Sequence, residues 1–264
     1  MSVGRAASIH ARRLKRARER GEDFNLVLTR YAIERFLYRL SLAPLGKALV
    51  LKGALLFDLW FDVPHRSTLD ADFLGIGEHT AESLASAMGI VCSAASDDGM
   101  QFDASSITTE EIREEARFGG LRVKLLGRLG NARCPLQVDV GYGDAVTPRA
   151  RGADYPTLLD DLPVQHLRVY PRATVMAENL DAIVSVGISN RRMKDYFDLH
   201  TLAGESKVDA VTLAEALAAD VGAAYDANPV RRSVWTERRV RTGCDQADTV
   251  VGAPAQESAG CART

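Results

Sequence analysis

Asp70 and Asp72 stand two residues apart in the run Leu69-Asp70-Ala71-Asp72-Phe73-Leu74. In an extended segment successive side chains alternate faces, so the two acids share one face and Ala71 and Phe73 take the other. Neighbouring carboxylates repel unless a cation lies between them. Hard divalent ions such as Mg²⁺ are held by one or two carboxylates together with substrate phosphates. Upstream, Lys52-Gly53 follows an apolar run and precedes the helix-like segment Ala54 to Trp60. A glycine at such a place lets backbone N–H groups approach a phosphate. A strand, a glycine, a helix, a turn at Pro64 and then Asp-x-Asp are the parts of a site for a nucleoside triphosphate and its metal. Each part alone has a plainer reading, as a turn or a solvated strand end; the order carries the signal.

Other residues extend or compete with this reading. His65, Arg66, Ser67 and Thr68 fill the loop entering the carboxylate strand. Arg66 offers fork-like bonding to a phosphate, Thr68 offers a hydroxyl to the metal, and Ser67 is grouped with them as a substrate contact. Ordinary turn polarity accounts for them equally well. Further on, Leu136, Val138 and Val140 alternate with Gln137, Asp139 and Gly141. Asp139 therefore points away from the apolar row, although acidic residues are disfavoured inside strands. Two explanations stand: an edge or wet face, or a third carboxylate across the sheet from Asp70 and Asp72, as two-metal centres require. Lys194 and Asp198 lie one helical turn apart and share a face, which on pattern alone is a surface ion pair.

The elements that must position these residues follow from periodicity. Ser2 to about Leu42 has helical spacing at Leu26, Ile33, Leu37 and Leu40, with Gly21 as a break. Its first half carries Arg12, Arg13, Lys15, Arg16, Arg18 and Arg20, a solvated face or a contact for phosphate backbone or an acidic partner. Leu49 to Leu51 is a buried strand, and Thr80 caps a helix from His79 to Met88. Phe102 to Ile107 is a strand. Leu121 to Val140 is a hairpin turning at Gly130-Asn131. Tyr142 to Leu162 is loop-rich, and His166 to Tyr170 is a short strand. Helices follow from Pro171 and from Arg191 to Leu202, with Met193, Phe197 and Leu199 as core candidates. One more helix runs through Leu213, Leu217 and Val221.

The 264 residues suffice for one large domain or two small ones, and a net charge of −2 leaves partners undecided. Cys92, Cys134, Cys244 and Cys261 are scattered, which argues against zinc and a disulfide framework and for a reducing cytoplasm. No secretory signal or membrane-spanning run is evident. Beyond Asn228-Pro229 the periodicity ends in an Arg-rich and then Gly/Ala/Thr/Ser-rich stretch. That stretch is expected to be disordered, and to derive from a shifted reading frame or degraded gene end.

The order of these pieces resembles the nucleotidyltransferase superfamily, with Ala54 as the second small residue after Gly53. In more detail, LVLKGALLFDLW (Leu49–Trp60), HRSTLDADFLG (His65–Gly75), PLQVDVGYGDAVTP (Pro135–Pro148) and MAENLDAIVSVGISNRRMKDYFDLH (Met176–His200) resemble the AbiEii/AbiGii nucleotidyltransferase toxins of abortive-infection toxin–antitoxin pairs. The resemblance runs to about Ala203. It implies an α+β fold: a polymerase-β-like nucleotidyltransferase core, a small mixed sheet with helices, plus flanking helical segments. Residues 1–45 would be an N-terminal helical segment and 46–148 the core. Residues 149–204 would be the helical part with a late Lys-Asp motif, and 205–264 a degenerate or disordered tail. It implies Mg²⁺ on Asp70 and Asp72, with Asp139 as the further acid. Lys52 and Gly53 would lie under the phosphates of an NTP. Lys194, Asp195 and Asp198 would belong to the late motif. The partners implied are an RNA acceptor such as tRNA and a cognate antitoxin protein, with no membrane.

One departure is chemical. The family pattern Ala-Glu-Lys is here Ala177-Glu178-Asn179. A neutral asparagine cannot replace a charge-assisted contact to a triphosphate worth about 1.5–3 kcal/mol. Besides an active transferase, the sequence therefore admits a weakened or inactive NTP-binding relative. It also admits a non-enzymatic RNA- or protein-binding module built on the basic first helix.

Overall fold

The computed structural model describes residues 3–61, 68–77, 79–112, 119–186, 193–205 and 208–227. The chain divides into two units, Met1–Ala224 and Tyr225–Thr264, and the whole of the sheet lies in the first. Arg66 and Ser67, residues 113–118, and the tail from residue 228 lie outside the described residues.

Helix α1 (Val3–Arg20) ends at Gly21, whose φ of +65° is a left-handed stop. Helix α2 (Phe24–Leu42) is opened by Asp23, whose carboxylate accepts from the Leu26 N–H at 3.0 Å. After a short α3 (Leu45–Ala48) comes strand β1 (Leu49–Lys52). A 3₁₀ turn (Gly53–Leu56) and α4 (Phe57–Trp60) follow it, then strand β2 (Asp70–Gly75). Helix α5 (Ala81–Ser93) is capped by Thr80, which accepts from the Ser83 N–H. Strands β3 (Met100–Ile112), β4 (Gly120–Leu129) and β5 (Ala132–Gly141) form a meander. Strands β6 (Arg151–Tyr155) and β7 (Gln165–Val169) precede helices α6 (Arg172–Val186), α7 (Met193–Glu205) and α8 (Ala210–Ala227).

The seven strands found among the described residues form one mixed sheet in the order β3-β4-β5-β2-β1-β7-β6. Strand β2 pairs antiparallel with β1 and parallel with β5. This is the α+β class expected. Strand β3 is longer than its alternation predicted, because a register shift between Asp103 and Thr108 breaks the pattern while pairing continues. Strand β6 was not anticipated: its five residues include Arg151, Gly152 and Asp154, and it lies at the sheet edge, where one row of partners suffices.

One face of the sheet is apolar. Leu121, Val123, Leu125, Leu136, Val138 and Val140 pack there in one cluster with Leu84, Met88 and Val91 of α5 and with α2. Helix α2 also buries charge. Arg39 donates Nη1 and Nη2 to Asp98 at 2.7 and 3.0 Å, and further to the carbonyls of Ala94 and Met100. Arg35 is equally buried, beside Glu34 and donating to Gln165 Oε1 at 3.1 Å. The basic block of α1 is not one solvated face. Arg13 is buried over the Tyr31 ring, Arg12 pairs with Asp161, and Lys15 lies 3.7 Å from Glu19. On α7, Met193 is 70% exposed and Phe197 49%, while Asp195 and Asp198 are buried, so these two core candidates are corrected; Leu199, the third, is half-buried against the core.

Removing one partner of a buried, fully bonded pair leaves an uncompensated charge. Asp98→Ala is expected to destabilise the protein by about 3–5 kcal/mol, read as a lowered urea midpoint at unchanged slope.

Candidate active site

Strands β1, β2, β5 and β4 are adjacent, and their registers align one transverse row. Lys52 lies opposite Asp72, Asp72 opposite Asp139, and Asp139 opposite Arg122. Side chains opposite one another on neighbouring strands share a face. The row therefore runs cation, anion, anion, cation across the face opposite the apolar core. Asp70 stands two residues before Asp72 and joins it on that face. One oxygen from each of Asp70, Asp72 and Asp139 lies within 4.8 Å of the other two, and all three residues are half-buried. The structure thus brings together the three acids singled out above.

The geometry around them explains the local sequence. Gly53 has φ +73°, and a Cβ built there would overlap the Asp72 carboxylate. Both facts exclude a side chain, and the second lets backbone stand directly over the acid. The Thr68 hydroxyl donates to Asp70 Oδ1. Burial first, and then the charge of Asp70, push the Asp72 carboxyl up to about 6, while Lys52 works against them.

Lys52 is held on its other side. Its ammonium pairs with Asp144 and, at 3.1 Å, with Glu178 of α6, and sits 5.5 Å from the Tyr170 ring centroid. Tyr170 donates its hydroxyl to Asp144 at 3.3 Å. Burial works to lower the Lys52 pKa, but Glu178 and Asp144 hold it above its ordinary value. Burial pushes Glu178 up to about 7 against the pull of Lys52. At the far end of the row, Arg122 donates Nε to Asp139 Oδ1 at 2.9 Å and Nη2 to Oδ2 at 2.8 Å. Gln137 adds a bond to Oδ2 at 3.2 Å.

The late-motif residues are distributed differently. Asp195 and Asp198 are buried on α7, and Lys194 is exposed. The charge of Lys194 nonetheless reaches Asp72, where it favours the ionised form. Asn179 is half-buried beside Glu178, and its Nδ2 has no hydrogen-bond partner among the described residues.

Sequence reasoning passed over Arg122, Asp144, Glu178 and Tyr170 as site neighbours. Arg122 was within reach: a two-residue turn at Gly130-Asn131 pairs Leu129 with Ala132, and counting outward sets Arg122 opposite Asp139. Nothing in the pattern around Asp144 or Tyr170 marks them, because they meet Lys52 only through tertiary folding.

The donor set is all oxygen, hard and anionic, suited to Mg²⁺ or a similar ion. Asp72 is held with two like charges that a cation would relieve, and the glycine cradle beside it is one a Cβ would fill. The residues fit a divalent metal.

Residues 35–243 match the family described as the nucleotidyl transferase AbiEii toxin of type IV toxin–antitoxin systems. The chain belongs to this family. The match continues past Ala203, so the family region extends beyond the motifs first recognised. No protein with a curated description matches the chain. Among solved structures it is similar to a Helicobacter pylori protein described as a candidate nucleotidyltransferase. That likeness has 17% identity and a TM-score of 0.44, and covers 68% of each chain. It is also similar to JHP933 of Helicobacter pylori, at 15% identity and a TM-score of 0.43, covering 81% of this chain and 97% of that one. These likenesses are loose; the family match decides membership.

Gly53→Ala carries the left-handed penalty of about 1–2 kcal/mol and, in addition, the overlap with Asp72. Gly77 has φ +86° with no described atom within 4 Å of its built Cβ. Gly53→Ala is therefore expected to lower stability more than Gly77→Ala, measured by urea unfolding of both variants.

Proposed function

We propose that this AbiEii-family protein is a nucleotidyltransferase toxin that transfers a nucleotide from an NTP to an RNA acceptor such as tRNA, with Mg²⁺. The convergence of Asp70, Asp72 and Asp139 on one face, beside the Gly53 turn, carries the reading. In this reaction the acceptor 3′ oxygen bonds to the α-phosphorus, and pyrophosphate leaves with the electrons of the broken P–O bond. A divalent ion bound among the acids would neutralise charge that accumulates on the phosphoryl oxygens.

The chain's own residues supply the rest. Gly53 lets the backbone close against Asp72 and begins a turn whose N–H groups can approach a phosphate near the charge of Lys52. Asp70 and Asp72 are preorganised, the first by Thr68 and the second by its place between Lys52 and Asp139. Asp139 lies on the far flank of the acids from Gly53, suited to act as ligand or as base for the attacking hydroxyl. Lys194, Asp195 and Asp198 contribute from α7, with Lys194 the exposed cation whose charge acts on Asp72. The protein acts in the cytoplasm, where NTPs and tRNA are found, and a cognate antitoxin restrains it. No helix among the described residues is long and apolar enough to cross a membrane.

A second reading rests on Asn179. The family pattern has lysine there, and the amide in its place has no hydrogen-bond partner among the described residues. On this reading the chain binds NTP and transfers it weakly or not at all.

The deciding experiment incubates the full chain with radiolabelled NTPs, Mg²⁺ and total tRNA. Label on RNA that disappears in Asp70→Ala supports the transferase. Mg²⁺-dependent NTP binding without label supports the weakened relative. Salt-sensitive RNA binding that survives Asp70→Ala, without label, would instead make the protein a binding module. Asn179→Lys is expected to raise the transfer rate by about tenfold or more, from one regained charge-assisted contact. An unchanged rate would mean that another cation already serves.

A further inference from the structure

Asp139 has both of its oxygens engaged by one guanidinium. The fork geometry, Nε to Oδ1 at 2.9 Å and Nη2 to Oδ2 at 2.8 Å, is the strongest arrangement an arginine and a carboxylate adopt. The third bond, from Gln137 at 3.2 Å, falls on Oδ2 as well. A hard cation needs the same oxygens at close range, and its charge repels a guanidinium already there. Asp70 and Asp72 carry no such clasp: among the described residues neither forms an ion pair within 4.0 Å. Arg122 and the metal are therefore alternatives at Asp139.

The position of Arg122 in the row says what it meets when released. Lys52 and the Gly53 turn flank the acids on the β1 side. Arg122 flanks them on the β4 side, with Lys124 two residues along the same face. Lys124 is held by Glu110 at 2.8 Å, whereas Arg122 is only 3.9 Å from that carboxylate. If the NTP lies on the glycine side, the acceptor strand arrives on the arginine side. A guanidinium fork matches a phosphate as well as it matches a carboxylate.

We propose that Arg122 guards the third carboxylate, competing with the divalent ion for Asp139 and turning to an acceptor phosphate once the ion is bound. The proposal rests on the transferase reading. It makes Arg122 a brake on metal loading and a positioning residue for the acceptor. The Arg122 side chain is 33% exposed, so solvent screens the clasp and limits its hold. A shift of about tenfold in metal affinity is the scale expected, rather than complete exclusion.

Calorimetric titration of the full chain with Mn²⁺ alone tests the first half, on wild type, Arg122→Gln and Arg122→Lys. Arg122→Gln is expected to bind Mn²⁺ about tenfold more tightly than wild type. Arg122→Lys should fall between them, because one ammonium cannot hold both oxygens as a fork does. In the transfer assay with a tRNA mixture, Arg122→Gln should raise the acceptor KM several-fold and leave the NTP KM unchanged. Arg122→Gln that is folded yet binds Mn²⁺ no better than wild type overturns the proposal, as does an unchanged acceptor KM. If Arg122→Gln does not fold, Arg122→Lys carries the same comparison against wild type. Failure of wild type and variants alike to bind Mn²⁺ overturns the metal reading itself, and the proposal with it.

Discussion

Three carboxylates held on one face of a sheet repel one another, and the surrounding structure is arranged around offsetting that repulsion. The offset is a transverse row in which Lys52 and Arg122 bracket Asp72 and Asp139 across four adjacent strands. The row exists only because β1 and β2 run antiparallel while β2 and β5 run parallel. Those two pairings set a strand from each part of the core beside the next. The same crowding explains Gly53: any side chain there would fall on Asp72. Electrostatics and sterics thus restrict the same few ångströms in different ways.

The bracket is anchored beyond the sheet. Lys52 stands opposite Asp72 in the sheet, while its ammonium pairs with a second acidic pair, Asp144 and Glu178, with Tyr170 bonded to Asp144. Glu178 belongs to α6, so the helical part of the chain is tied to the core by charge at the site itself. A lysine so engaged is not a free cation. That gives Asn179, one residue past Glu178, its significance: it adds no charge on this side of the site. Lys194 acts on Asp72 from α7, where its charge favours the ionised form.

On the opposite face, α2 buries Arg35 and Arg39 among leucines, with Glu34, Asp98 and Gln165 as partners. Buried pairs of this kind contribute little net stability relative to apolar residues, yet are costly to break. Their effect is to tie α2 to the start of β3 and to the entry of β7 through directional bonds. Those are the two flanks of the sheet that carries the acids. Arg13 of α1 joins this system over Tyr31 instead of facing solvent.

Much was legible from spacing alone, because local rules decided it. Period-two alternation set Asp70 and Asp72 on one face and turned Asp139 away from the apolar row. Thr80 announced α5, and Gly130-Asn131 announced the β4–β5 hairpin together with its register. Local rules could not say whether Asp139 faced a wet edge or the other two acids, since that depends on β2 lying parallel beside β5. They misjudged α7, where apolar Met193 and Phe197 are exposed and Asp195 and Asp198 are buried. They missed β6, whose edge position lets polar residues form a strand. What the sequence by itself determined were the side-chain periods and turns, which are set by bonds between near neighbours. Only the tertiary structure decided which strands lie side by side, and hence which charges meet, because Lys52 finds Asp144 and Glu178 across long stretches of chain that no local pattern spans.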